Sequence, residues 1–220
     1  MDANPNTPNG HLEPRWPASI AIASALALYV ILPQSLIVGP RWLIPVLEAA
    51  LLIPLTITNP YRQHHETREL RFLAIGLIAL VNLANIASVV LLVHHLLAGG
   101  KNTSGKALVY AALAVWLTNV IVFGLWFWEI DKGGPAARSG HRELIPDFLF
   151  PQMTEPRITT AQWHPGFVDY LYVAFTNATA FSPTDTMPLT QKAKTLMAAE
   201  SLVSMITVVV VAARAVNILP

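Results

Sequence analysis

The chain has 220 residues, of which 54% are hydrophobic and 12% charged, about half the ~25% charged content of a soluble globular domain. A net charge of +1 supplies no basic face of the kind nucleic acid requires, so no nucleic-acid partner is expected. The absence of cysteine removes disulfides, thiolate metal sites and cysteine nucleophiles. Mean hydropathy is +0.49, and the apolar residues fall in long runs. That pattern predicts an all-α, polytopic membrane protein whose first partner is the lipid bilayer.

Residues 1–16 form a polar tail rich in Asn and Pro. The run Pro17–Val38 is long enough to span at 1.5 Å per residue. Too few apolar residues precede the small-x-small triplet Ala23-Ser24-Ala25 for a signal-peptide core, so the helix is expected to stay uncleaved. Trp42–Thr58 is shorter and holds Pro45, Pro54 and Glu48; it either spans in a bent form or folds back beside the first helix. Residues 59–71 read as a charged loop and Phe72–Leu97 as a span. Ala98–Lys106 is a glycine-rich loop, and Ala107–Trp128 is a span closed by the aromatic group Trp126, Phe127 and Trp128. Glu129 and Asp131 then leave the membrane.

Residues 131–165 are the longest hydrophilic stretch, within which Asp147–Pro151 is expected to dip onto the membrane surface. Phe167–Phe181 is apolar but too short to cross, and Leu196–Leu219 is the final span. The expected architecture is five transmembrane helices plus one short re-entrant helix before the last.

Ionisable residues at membrane depth are functional candidates. Glu48, Glu200 and Arg214 qualify. Arg214, close to a helix end, has a simple reading as a snorkelling side chain. Glu200 either faces a pore or bonds to the back of the short helix. Asn82 and Asn85 share a helix face and are expected to hydrogen-bond between helices. Neighbouring histidines on a helix point about 100° apart, so His64-His65 and His94-His95 are read as interfacial. No HExxH, Walker A, GxGxxG or GxSxG motif is present, so no metal, cofactor or enzymatic activity is expected.

The stretch Phe167-Val168-Asp169-Tyr170-Leu171-Tyr172-Val173-Ala174-Phe175-Thr176-Asn177-Ala178-Thr179-Ala180-Phe181-Ser182-Pro183-Thr184-Asp185-Thr186-Met187-Pro188 resembles the pore helix and filter of bacterial potassium-channel-like proteins. In that family an aromatic-rich helix of the form W-x-A-x-Y-F-x-x-x-T-x-T-T runs into T-V-G-Y-G-D, with a proline three residues on. The resemblance implies a pore module over 107–220: outer helix 107–128, hydrophilic loop 131–165, half-helix 167–181, filter-like loop 182–188 and inner helix 194–219. The spans at about 17–38, 42–58 and 72–97 would then be accessory helices within 17–106. It implies a pore helix carrying Asp169, Tyr172, Thr176 and Asn177. It also implies a lining made of Thr179, Ala180, Phe181, Ser182, Pro183, Thr184 and Asp185.

The resemblance further implies a homo-tetramer in a bacterial inner membrane, since one copy supplies a quarter of a pore, with monovalent cations as the conducted species. Both filter glycines are replaced, by Ser182 and Thr184, and Pro183 fixes φ. A potassium-type carbonyl cage is therefore not expected. Ions would instead meet the side-chain oxygens of Thr179, Ser182, Thr184 and Asp185, with a changed or poor selectivity.

Three other readings compete. Ser182-Pro183-Thr184-Asp185 also has the form of a helix start, with the preceding segment lying at the interface and Asp169, Thr176 and Asn177 facing outward. The chain could instead be a non-conducting scaffold or sensor acting through residues 131–165, or a small transporter. Ten of the 14 Lys and Arg residues fall in the tail, the 59–71 loop and residues 131–195. That bias places residues 131–195 in the cytoplasm, whereas a potassium-channel pore loop opens outward.

Overall fold

The structure is a computed structural model that describes residues 16–58, 68–97, 105–140, 145–155, 163–180 and 185–216. Its helices are α1 (Trp16–Ile31), α2 (Leu43–Thr58), α3 (Arg68–Leu97), α4 (Gly105–Ile130), α5 (Pro135–Gly140), α6 (Pro151–Thr154), α7 (Phe167–Ala180) and α8 (Gln191–Val216). The only strands among the described residues are β1 (Phe148–Leu149) and β2 (Met187–Pro188), paired antiparallel with Phe148 opposite Pro188 and Leu149 opposite Met187. The protein is all-α in class.

Three helical stretches are long and apolar enough to cross a membrane: Glu69–His95, Ala107–Gly133 and Gln191–Ala213. These are the expected spans at 72–97, 107–128 and 196–219; the first and third begin earlier, at Glu69 and Gln191, and the second begins at Ala107 as expected and runs on to Gly133. Outward faces carry exposed Phe72, Leu83, Val90, Tyr110, Leu113, Leu202, Val208 and Val209, side chains suited to lipid contact.

The first helix departs from expectation. It stops at Ile31 instead of running to Val38, because Pro33 has no N–H to donate and disfavours helical backbone at Leu32. A 3-10 turn over Gln34–Leu36 follows, and Gly39 at φ +79° makes the bend. The Arg41 guanidinium donates to the Leu32 carbonyl at 2.7 Å, placing a cation at the negative end of α1. At 16 residues each, α1 and α2 rise only about 24 Å.

Two apolar cores divide the bundle lengthwise. One gathers Ala18, Ala21 and Ala25 of α1 with Leu77 and Val81 of α3, Val120–Trp128 of α4, Tyr170 and Ala174 of α7 and Ala193 and Met197 of α8. The other gathers Tyr29, Leu32 and Leu36 with Val89 and Leu92 of α3 and Leu108–Val115 of α4, with Val203, Ile206 and Val210 of α8 against them. On α1, α3, α4 and α8 alike, one half of the helix serves the first core and the other half the second. The helices therefore run in alternating directions, with Asp131 at one end of the bundle and Leu36 at the other.

The stretch 131–155 is not a loose hydrophilic loop at either of its described parts. Glu129 and Asp131, expected to leave the membrane, are buried in protein at the bundle end. Asp147–Pro151, expected on the membrane surface, packs inward, with Phe148 and Phe150 buried and their rings against Phe127 and Tyr170. Three aromatic faces with specific ring partners outweigh what the interface would offer two phenylalanines.

The candidate pore-like site and a polar layer at mid-bundle

Helix α7 runs antiparallel to α4 and covers half of it. The Phe167 ring meets Trp128 at 5.9 Å, Leu171 lies against Gly124, and the Phe175 ring meets Trp116 at 6.1 Å, near the middle of α4. The approach at Gly124 is close: a Cβ there would stand 3.1 Å from the Leu171 Cα. On its other side α7 packs on α8, where Ser204, again near mid-helix, donates to the Ala178 carbonyl at 2.7 Å. At 14 residues, α7 rises about 21 Å against about 39 Å for the 26 residues of α4.

The chain then returns to the end it came from. Met187–Pro188 pairs with β1, the Leu189 amide donates to the Asp147 carbonyl at 2.8 Å, and α8 starts at Gln191. Thr190 is the N-cap of α8: its Oγ1 accepts from the Ala193 amide and donates to Asp147 Oδ1. Residues 185–190 are therefore not the first turns of a helix beginning at Ser182.

Asp131 organises that end. Its carboxylate accepts from the Tyr170 hydroxyl at 2.6 Å, the Asp147 amide at 2.6 Å and the Phe148 amide at 3.3 Å. Arg138 donates to the carbonyls of Trp128 and Asp131 and lies over the Tyr170 ring at 5.2 Å. Arg71 of α3 stands 3.9 Å from the buried Glu129. Gly134, at φ +98°, passes so close that a Cβ would meet the Glu129 carbonyl at 3.0 Å. Gly134→Ala is expected to cost about 1–3 kcal/mol through left-handed backbone and crowding. In detergent its thermal midpoint should fall, whereas Gly76→Ala, where an added Cβ meets nothing within 4 Å, should not lower it.

Between the two apolar cores lies a polar layer: Asn85 and Ser88 on α3, Thr118 and Asn119 on α4, Thr176 and Asn177 on α7, and Glu200, Ser204 and Thr207 on α8, all buried. Asn177 is its hub. Its Nδ2 donates to Glu200 Oε2 at 2.7 Å and to the Met197 carbonyl at 2.9 Å, and its Oδ1 accepts from Ser201 at 3.2 Å. Trp116 Nε1 donates to Ser204 Oγ at 2.7 Å, so Trp116, Ser204 and the Ala178 carbonyl link α4, α8 and α7 in one relay. Of the two roles open to Glu200, its Oε2 takes the contact to the back of the short helix.

The expected site residues divide accordingly. Thr176 and Asn177 are buried at 7% and 2% exposure, which overturns the interfacial-helix alternative that turned both outward. Asp169 Oδ2 accepts from the Gly166 amide at the start of α7, and Tyr172 is exposed on its outer face. Thr179 and Ala180 are exposed on the final turn, with Thr179 Oγ1 donating to the Phe175 carbonyl at 2.8 Å. Asp185 is exposed beyond it. Phe181, Ser182, Pro183 and Thr184 lie outside the described residues, as do His64 and His65 and the Arg214 side chain.

Glu48 is buried, and its Oε2 has no hydrogen-bond partner. The same holds for Asn82 Oδ1 and Asn85 Nδ2, so these atoms do not make the interhelical bonds expected of them. The His94 and His95 rings meet edge-on at 6.2 Å, and the His95 ring also bonds to the Ser35 carbonyl at 2.9 Å. Among the described residues no group of three His, Cys, Asp or Glu side chains comes together. Trp116, Asn119 and Ser204 were not legible as site residues, because nothing in their spacing announces a partner 81 or 88 positions away.

No protein-family model, curated protein or solved structure matches this chain.

Proposed function

We propose that the chain is the subunit of an oligomeric, channel-like integral membrane protein. In this reading α4 is the outer helix, α7 a re-entrant half-helix, and α8 the inner helix, with α1, α2 and α3 as accessory helices. The observation that carries the reading is the course of α7. It descends from the Asp131 end to the middle of its two neighbours, and the chain is back at the same end by Met187. Backbone that turns at such a depth survives only where protein or a watered cavity satisfies it. The residues that link Ala180 to Asp185 carry the filter-like sequence.

An open groove of ≈490 Å³ runs along α8, from Pro188 and Lys194 past Asn177 and Ser201 to Met205. A single subunit leaves the groove open, as it would a sector of a symmetric pore, and a homo-tetramer would close it. With no filter glycines, the conducted species would be cations passed with poor or non-potassium selectivity. The proposed setting is a bacterial inner membrane.

Purified protein in liposomes should pass monovalent cations faster than empty vesicles. Asp185→Ala and Thr179→Ala should each reduce that flux several-fold. Flux equal to that of empty vesicles would overturn conduction. A second reading, a non-conducting scaffold or sensor acting through residues 131–165, draws support from the ordered Asp131 cluster that fixes part of this segment to the bundle end, and it predicts that null result.

A further inference from the structure

A buried carboxylate is tolerated when a positive charge or a full set of donors compensates it. Glu200 is 0% exposed. Its Oε2 has one donor, Asn177, and its Oε1 has none. Among the described residues no cationic side chain pairs with it. The neighbouring Asn119 donates through Nδ2 to the Glu200 carbonyl at 3.3 Å, which leaves its own buried Oδ1 without a partner.

The last turn of α7 adds to the imbalance. The Ala178 carbonyl, at the negative end of the helix dipole, meets the same layer, where Ser204 donates to it. The layer thus holds two orphaned acceptor oxygens, a carboxylate and the negative end of α7, against a single orphaned amide donor among the described residues, Asn85 Nδ2 on α3.

The described charged side chains of the helices around it stand elsewhere. Glu129 and Asp131 close α4, Asp169 opens α7, Lys192 and Lys194 open α8, and on α3 Glu69 and Arg71 lie at one end with His94 and His95 at the other. Lys194, the nearest along α8, is six residues and about 9 Å of rise from Glu200 and is exposed.

We propose that this mid-bundle layer is a binding site for one small cation, held by the Glu200 carboxylate, with the Asn119 amide oxygen as the second acceptor. The cation is a proton or a sodium- or potassium-sized ion, and both satisfy the same missing charge. Two orphaned oxygens suffice for a proton, whereas a metal ion would also recruit water. Entry is from the groove beside Asn177, Ser201 and Met197. The site rests on the packing of α4, α7 and α8 alone, so it stands whether or not the assembly conducts.

Infrared difference spectra of the full chain in detergent, wild type against Glu200→Gln, test it. Gln keeps an acceptor for Asn177 and supplies donors to the layer, so this variant is expected to fold. If it does not, Glu48→Gln removes the buried carboxyl of α2; the remaining buried carboxyls, Glu129, Asp131 and Asp147, have Arg71 or hydrogen-bond donors against them, so a protonated-carboxyl band that survives Glu48→Gln is assigned to Glu200. A protonated-carboxyl stretch at neutral pH that shifts in deuterated water and vanishes in Glu200→Gln identifies a proton. A carboxylate band that moves with sodium or potassium, and not with a bulky organic cation, identifies a metal ion. An ionised carboxylate indifferent to every cation overturns the site.

Discussion

Asp131→Ala is expected to lower the unfolding free energy by roughly 3–5 kcal/mol, because it leaves the Tyr170 hydroxyl and the Asp147 and Phe148 amides buried without an acceptor. The loss should fall on a definite part of the molecule. Asp131 binds α7, through Tyr170, and the β1 segment, through Asp147 and Phe148, to the end of α4 at once. Tyr170→Phe removes a single hydroxyl and should cost about 1–3 kcal/mol. Asp131→Asn retains one acceptor oxygen and should fall between the two. Denaturant unfolding in mixed micelles, followed by tryptophan fluorescence, would rank the three. If Asp131→Ala cost no more than Tyr170→Phe, the carboxylate would not be the organiser of that end.

Gly124→Leu is expected to drive α7 away from α4. An added Cβ would already stand 3.1 Å from the Leu171 backbone and 3.2 Å from its Cδ1, and neither helix can yield without losing the Trp116–Phe175 and Trp128–Phe167 ring contacts. Overpacking of this kind costs about 1–3 kcal/mol, which the polar bonds of Asn177 oppose. The chain has no native cysteine, so a single Ala178→Cys reporter reads the outcome. In the parent its thiol should be shielded from maleimide, as Ala178 is, and in Gly124→Leu it should label at least ten-fold faster. An Ala112→Cys reporter in the other core should stay shielded in both, separating displacement of α7 from general unfolding. Continued protection at position 178 would mean that the close approach at Gly124 does not hold α7 in place.

The long spans were legible because each is a continuous apolar run that needs no distant partner. The 14-residue helix α7 was legible for the complementary reason: its apolar run is bounded, and its length alone forbids a crossing. The end of α1 was equally local, written in Pro33, yet the surrounding run of Leu, Ile and Val masks it in any reading by hydropathy. The Asp131 cluster was not legible. Its members sit 15, 16 and 39 residues apart, and a sequence holding aspartate, proline and glycine at those places also describes a solvated loop. The Asn82–Asn85 pair shows the reverse error. A shared helix face makes a hydrogen bond possible, but it places no partner against Asn82 Oδ1 or Asn85 Nδ2.

The half-length of α7 also bears on how the molecule is assembled. Asn177 bonds to Met197 and Glu200, and Ala178 bonds to Ser204, residues that leave the ribosome 20 to 26 positions later. One wall of its cradle, α4, exists when α7 is synthesised, and the other does not. Until α8 has been delivered, Asn177 has no acceptor and the Ala178 carbonyl no donor. Docking of α7 is therefore a late step in biogenesis. A released chain truncated before Glu200 should hold its first four helices while Trp163–Ala180 is open to protease.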